Sequence, residues 1–221
     1  MSHKNVTCVS GMLLVILAAL SQMGCQGTYY NMWEKLGYAK RDILVERVGK
    51  ARDGQQAAKQ QFQTTLEKFK AVTGFNGGDL EAKYNELSSQ YDLCEKRAGA
   101  VSSQIDSVDS VAQAMFKEWQ DELAQYSNPD LKAKSADELQ VTKARYGQLL
   151  AAMRAAEAKM KPVLAAFHDQ VLFLKHNLNA QAIASLEGVK VNLQGDVDRL
   201  IADMQKSIDE SNKFISTMKT Q

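Results

Sequence analysis

The sequence predicts an all-α protein, an elongated antiparallel helical bundle or coiled coil of about four long helices, and three observations predict it. Apolar side chains recur at heptad spacing in long unbroken stretches. The clearest runs through Leu80, Tyr84, Leu87, Tyr91, Cys94, Ala98, Val101, Ile105, Val108, Ala112, Met115 and Trp119 in alternating steps of four and three. A straight helix drifts by about 20° per heptad against that repeat, so a stripe kept this faithfully implies helices wound left-handedly on one another. The composition leans to Ala, Leu, Lys, Gln and Glu, the strong helix formers, and only Pro129 and Pro162 interrupt the 221 residues. Alternation of apolar and polar residues at period two is absent over any useful length, so nothing reads as a strand.

The first 24 residues differ in kind from the rest: they hold one Lys (Lys4), no Arg and no acid, and turn apolar from Val6. This is the pattern of a secretory leader, and its most apolar stretch is short for a hydrocarbon core of about 30 Å. It ends Ser21-Gln22-Met23-Gly24-Cys25, where a small residue directly before Cys resembles the lipobox of bacterial lipoproteins. Gln22 and Met23 depart from that box, which usually carries Leu and a small residue there. Residues 1–24 are thus expected to be a lipoprotein-type signal peptide and Cys25 the acylated N-terminus of a single helical domain, 25–221. The alternatives are cleavage as an ordinary secretory signal, or retention as an N-terminal anchor helix. Tyr29, Tyr30 and Trp33 follow at once, placed either to rest at the membrane interface or to pack on the end of the bundle.

The first helix is expected over about 29–73, with the seam Leu44, Val48, Ala51, Gln55, Ala58, Phe62, Thr65, Phe69 and Val72. Gly74, Gly77 and Gly78 supply the left-handed backbone that ends helices, and Asp79 is a good N-cap for the second, about 79–127. Ser127-Asn128-Pro129-Asp130 forces a turn. Ser135-Ala136-Asp137-Glu138 reads as a capping box that starts the third helix, about 135–178. Its seam runs Leu139, Thr142, Tyr146, Leu149, Met153, Ala156, Met160, Val163, Phe167, Val171, Leu174 and Leu178. Pro162 interrupts it at a cost of about 3 kcal/mol, yet the stripe crosses in register, so a kinked continuous helix is expected. Asn177 and Asn179 offer a C-cap and an N-cap for a reversal, although no glycine marks it, and one very long helix is the alternative. The fourth helix, about 180–219, carries Leu186, Val189, Leu193, Val197, Leu200, Met204, Ile208, Ser211, Ile215 and Met218. Short connections make neighbouring helices antiparallel. The segment 171–178 is apolar around too much of the helix for one stripe, and is expected to be sandwiched inside the bundle rather than to mark a partner surface.

Little here points to chemistry. His168 and His176 stand eight residues apart, about 80° around and 12 Å along the axis, too far for a shared metal. No phosphate loop, dinucleotide fingerprint, nucleophile elbow or His-Glu-x-x-His is present. Cys94 lies on a seam, as a small buried hydrophobe should. With Cys8 lost and Cys25 acylated, no intrachain disulfide can form. Polar Gln55, Thr65 and Thr142 on the seams read as register devices. The 27 basic and 26 acidic residues are interspersed, and without Lys4 the balance is 26 to 26, so no footprint for nucleic acid is visible.

Several segments together resemble a bacterial family known as domain-of-unknown-function family 2959: Lys40-Arg41-Asp42-Ile43-Leu44-Val45, Phe75-Asn76-Gly77-Gly78-Asp79-Leu80, Gln104-Ile105-Asp106-Ser107-Val108 and Phe173-Leu174-Lys175-His176-Asn177-Leu178-Asn179-Ala180. The likeness spans nearly all of the chain after Cys25. It implies an exported coiled-coil protein of Gram-negative bacteria, often lipoprotein-like, with no established activity and no catalytic residues to carry over. Some members have been labelled DNA-repair proteins; this sequence lacks the phosphate loop and the basic surface that such a label needs.

The function expected is that of a non-enzymatic periplasmic lipoprotein, a structural spacer or protein-docking rod. It needs no cofactor and meets the membrane through its N-terminal lipid. Gln26 after the cysteine resembles the outer-membrane sorting pattern. The protein partner is unidentified, no nucleic acid is expected, and a homo-oligomer is left open. One rival is a cytoplasmic coiled coil associated with DNA repair or nucleic acid; another is a bundle binding a small ligand in an internal pocket.

Overall fold

The computed structural model describes residues 40–75 and 77–220. The chain divides into two compact units, 1–43 and 44–221. Of the first, Lys40–Ile43 are described, as the opening turn of a helix; the second is the bundle treated below. Helix α1 is Lys40–Thr73, α2 is Leu80–Glu122 with a 3₁₀ turn at Leu123–Gln125, and α3 is Pro129–His176. A short α4, Ala180–Ser185, precedes α5, Glu187–Thr220. No strand occurs among the described residues, and none of their helices is long and apolar enough to cross a membrane.

Cross-helix contacts set the topology. Between α1 and α2, Gln61 Nε2 donates to Gln90 Oε1 at 2.8 Å, and Lys68 pairs with Glu86 at 2.6 Å. Between α2 and α3, the Tyr146 hydroxyl donates to Asp109 at 2.7 Å and Arg154 meets Asp106 at 2.6 Å. Phe214 on α5 lies edge-on to Tyr146, and Lys159 pairs with Asp203. Arg52 and Lys59 of α1 donate to Asn212 and Gln205 of α5 at 3.1 and 2.6 Å. In every pair the numbers rise on one helix as they fall on the other. The four long helices therefore run up, down, up, down around one core, with α1 and α5 closing the ring.

The seams are that core. All nine α1 positions from Leu44 to Val72 are fully buried, and the buried residues of α3 are the predicted stripe from Leu139 to Leu174. Fully burying a side chain such as Leu87, Ile105, Phe62 or Phe167 contributes about 1.5–3 kcal/mol each before entropy is charged against it. The buried strip of α2 is wider than one seam and takes in Val111 and Phe116, the latter edge-on to Tyr146 of α3.

The turns follow from local chemistry. Gly77 and Gly78 adopt φ of +142° and +103°, which a side chain resists, and the Asp79 carboxylate accepts from Ala82 N at 2.9 Å to open α2. Asn179 caps α4 in the same way, accepting from Ala182 N at 2.9 Å. The reversal there is real, and α3 passes through Pro162 without a break.

Four expectations are corrected. Helix α3 starts at Pro129, because Asn128 Oδ1 accepts from the N–H groups of both Asp130 and Leu131 and proline suits a first helical position. Ser135 is therefore inside the helix, and its hydroxyl accepts from Trp119 Nε1 at 2.8 Å instead of capping. The fourth helix is two, α4 and α5, joined at Leu186. In α5, Phe214 takes the buried position beside Tyr146 and leaves Ile215 half-buried, since Phe214 continues the four-and-three repeat of Leu193, Val197, Leu200, Met204, Ser207, Ser211 and Met218. Finally, 171–178 is not sandwiched: Val171 and Leu174 are buried, but Leu172 is 49% and Phe173 39% exposed, because α3 there has neighbours on one side only.

Candidate functional site

The residues singled out for function, Cys25 with Tyr29, Tyr30 and Trp33, lie outside the described residues, as does the leader 1–24. What the bundle adds is an inventory of its interior, its grooves and its ends.

Inside, the reactive groups are muted. Cys94 is fully buried and burial pushes its thiol up to about 12, although the Thr65 hydroxyl pulls the other way. It is a packing residue, not a nucleophile. The Tyr146 phenol is raised far above its usual value, first by burial and then by the Asp109 carboxylate to which it donates. Packed between Phe116 and Phe214, it acts as a hydrogen-bonded clasp between α2 and α3. Arg154 extends that clasp by reaching both Asp106 and Glu157, and the two carboxylates in turn hold its guanidinium charged.

A polar layer crosses the core between α1 and α5. Gln55 is fully buried, and its Oε1 accepts from Ser207 Oγ at 2.8 Å. Ser211 donates back to the Ser207 carbonyl at 2.8 Å. Gln55 Nε2 is buried with no hydrogen-bond partner, as is Thr142 Oγ1. Two of the three polar seam residues named from sequence therefore carry an unmet bond. Thr65 does not: its hydroxyl donates to the Gln61 carbonyl at 2.9 Å.

Outside, shallow grooves run between the helices, a small one between α3 and α5 beside Phe214 and two roomier ones. One, about 420 Å³, lies between α2 and α3, floored by Ala98, Gly99, Ala158 and Leu164 and rimmed by Glu95 and Lys161. The other, about 170 Å³, lies between α1 and α2 among Arg47, Lys50, Ser103, Gln104 and Ser107. His168 sits on the outer face of α3 with its ring 5.8 Å from that of Tyr91. His176 is exposed at the end of the same helix. No group of three His, Cys, Asp or Glu able to hold a metal occurs among the described residues.

The ends differ from each other. At one, α1 turns into α2 and α3 into α4. At the other, α2 and α3 form a hairpin whose apex residues, 124–134, are all exposed, with Tyr126 at 41% and Leu131 at 52%. Sequence reading missed this apex as a feature. Its signals were Leu131, off every seam, and Tyr126, which continues the α2 repeat past the end of that helix.

A family model described as a protein of unknown function, DUF2959, matches residues 29–218. No curated protein and no solved structure matches the chain.

Proposed function

Since the chain belongs to the DUF2959 family, whose function is unknown, we propose that it is a non-enzymatic lipoprotein of the bacterial envelope, tethered through Cys25 and holding a helical bundle at a membrane surface as a spacer or docking body. One observation carries this reading. An apolar leader ending Gly24-Cys25 is joined to a bundle whose interior is filled by its own side chains, so that its outer surface and ends are what it offers. The muted thiol and phenol support a role without catalysis, since both are held in their protonated forms away from either groove. The formally balanced charge of 25–221 supports a location away from nucleic acid. Gln26 supports sorting to the periplasmic face of the outer membrane.

The test is processing in a Gram-negative host. Globomycin, which blocks the lipoprotein signal peptidase, should accumulate a heavier precursor, and the wild-type chain should fractionate with outer membranes. A chain that matures normally under globomycin, or that stays in the soluble fraction, overturns the proposal.

A further inference from the structure

Three helix-weakening residues lie in the interiors of three different helices, and cross-helix contacts bring them to one level of the bundle. A side chain added at Gly54 of α1 would meet the Gln104 carboxamide of α2. Gln104 stands five residues, about 7.5 Å, along that helix from Gly99. Gly99 in turn lines a groove with Lys161 of α3, whose next residue is Pro162. Gln55, next to Gly54, accepts from Ser207 of α5. An interior glycine loosens its helix, and a proline removes the bond to the carbonyl four residues back, here that of Ala158. All four long helices are thus marked within a band about two turns deep.

The core changes character inside this band. Its buried positions are mostly small or polar: Ala51, Gln55 and Ala58 on α1, Ala98 on α2, Ala156 on α3 and Ser207 on α5. Bulky side chains stand to either side, Phe62, Phe69 and Phe167 toward the end where α1 turns into α2, and Val108, Tyr146 and Phe214 toward the other. The longer side chains that reach into the band, Met153, Met160 and Met204, are unbranched and refill a core of changing shape readily. Gln55 Nε2 is buried here without an acceptor, and Gln104 Oε1 without a donor. The closed arrangement therefore leaves two bonds unmet that water supplies when the band opens. Two well-packed halves joined by a narrow band that yields easily have the construction of a hinge.

We infer that the bundle bends at this waist, its two halves moving as bodies about Gly54, Gly99 and Pro162 with Gln55 in the core between them. Each long helix is continuous from one half to the other, so the four must yield together. A bundle with such a waist changes the angle between its ends without unfolding. The inference holds whether or not Cys25 carries a lipid. Hydrogen exchange of the full chain, read by mass spectrometry, tests it. Peptides over 51–58, 96–103, 156–163 and 204–211 should exchange about tenfold faster than those over 62–72 and 167–174, through one shared opening. The double variant Gly99→Ala, Pro162→Ala stiffens two helices at exposed positions, and nothing lies within 4 Å of a side chain added at Gly99. It should slow the waist peptides of α1 and α5, helices it does not touch, by about fivefold or more. Gly147→Ala has equal room and about the same gain in helix propensity, but stands about 22 Å from Pro162 along α3. It should leave the waist rates as they were. Waist peptides as protected as their flanks would overturn the hinge. So would slowing confined to α2 and α3, which reports helix propensity alone, or an equal slowing by Gly147→Ala, which reports opening of the whole bundle.

Discussion

Gln55 occupies a position where the seam calls for a methylene-rich side chain, and its amide meets only one of its needs. Oε1 accepts from Ser207 while Nε2 is buried without an acceptor. An unmet buried donor costs about 1–3 kcal/mol, so Gln55→Leu should raise the unfolding free energy from chemical denaturation by about 1 kcal/mol and its midpoint with it, the Ser207 hydroxyl turning to its own helix. A lower midpoint would show that the amide contributes more than register. Sequence pattern located Gln55 because it broke a stripe; the stripe could not say which helix would answer it, since that depends on how four helices pair. Cys94 and Tyr146 give a second outcome. Both groups bind their proton more tightly folded than unfolded. The stability they contribute is complete below the unfolded values, about 8.5 for a thiol and 10 for a phenol, and is lost as pH rises through the folded ones. Melting temperature should fall steadily from about pH 9 upward, and Tyr146→Phe should flatten the portion above about pH 10. Cys94 should resist alkylation until the bundle unfolds.

Asn128 shows how an element's boundary is chosen. Sequence reading took Asn128-Pro129 as a turn and the capping box at Ser135 as the start of α3, but the helix opens at Pro129 because Asn128 satisfies two amides and proline preforms the first turn. Asn128→Ala should cost about 1 kcal/mol in global stability and speed amide exchange over Asp130–Lys134, with α3 beyond Ser135 protected as before. Equal protection along the whole helix would mean that the apex draws its order from elsewhere. Helices and seams were legible because burial at one period leaves a strong trace. Terminal register was less so: the stripe read through Ile215, whereas the buried repeat runs Met204, Ser207, Ser211, Phe214 and Met218, its two serines hiding it among polar residues. The exposure of Leu172 and Phe173 was illegible for a related reason, since an apolar sequence does not say on how many sides a helix has neighbours.

For the whole molecule, the fold class and family could be read from the chain, and the candidate site only at its N-terminal edge. Cys25 is proposed from a local pattern, an apolar stretch ending in Gly24, and lies outside the described residues. In the proposed reading, function rests on attachment. On that reading the chemistry of the N-terminus decides what the bundle serves. The most direct measurement is intact-mass spectrometry of the chain purified from native envelopes. It should give a mature protein that begins at Cys25 and carries a diacylglyceryl group and an N-acyl chain. A mass that begins elsewhere, or an unmodified Cys25, would contradict the anchored bundle.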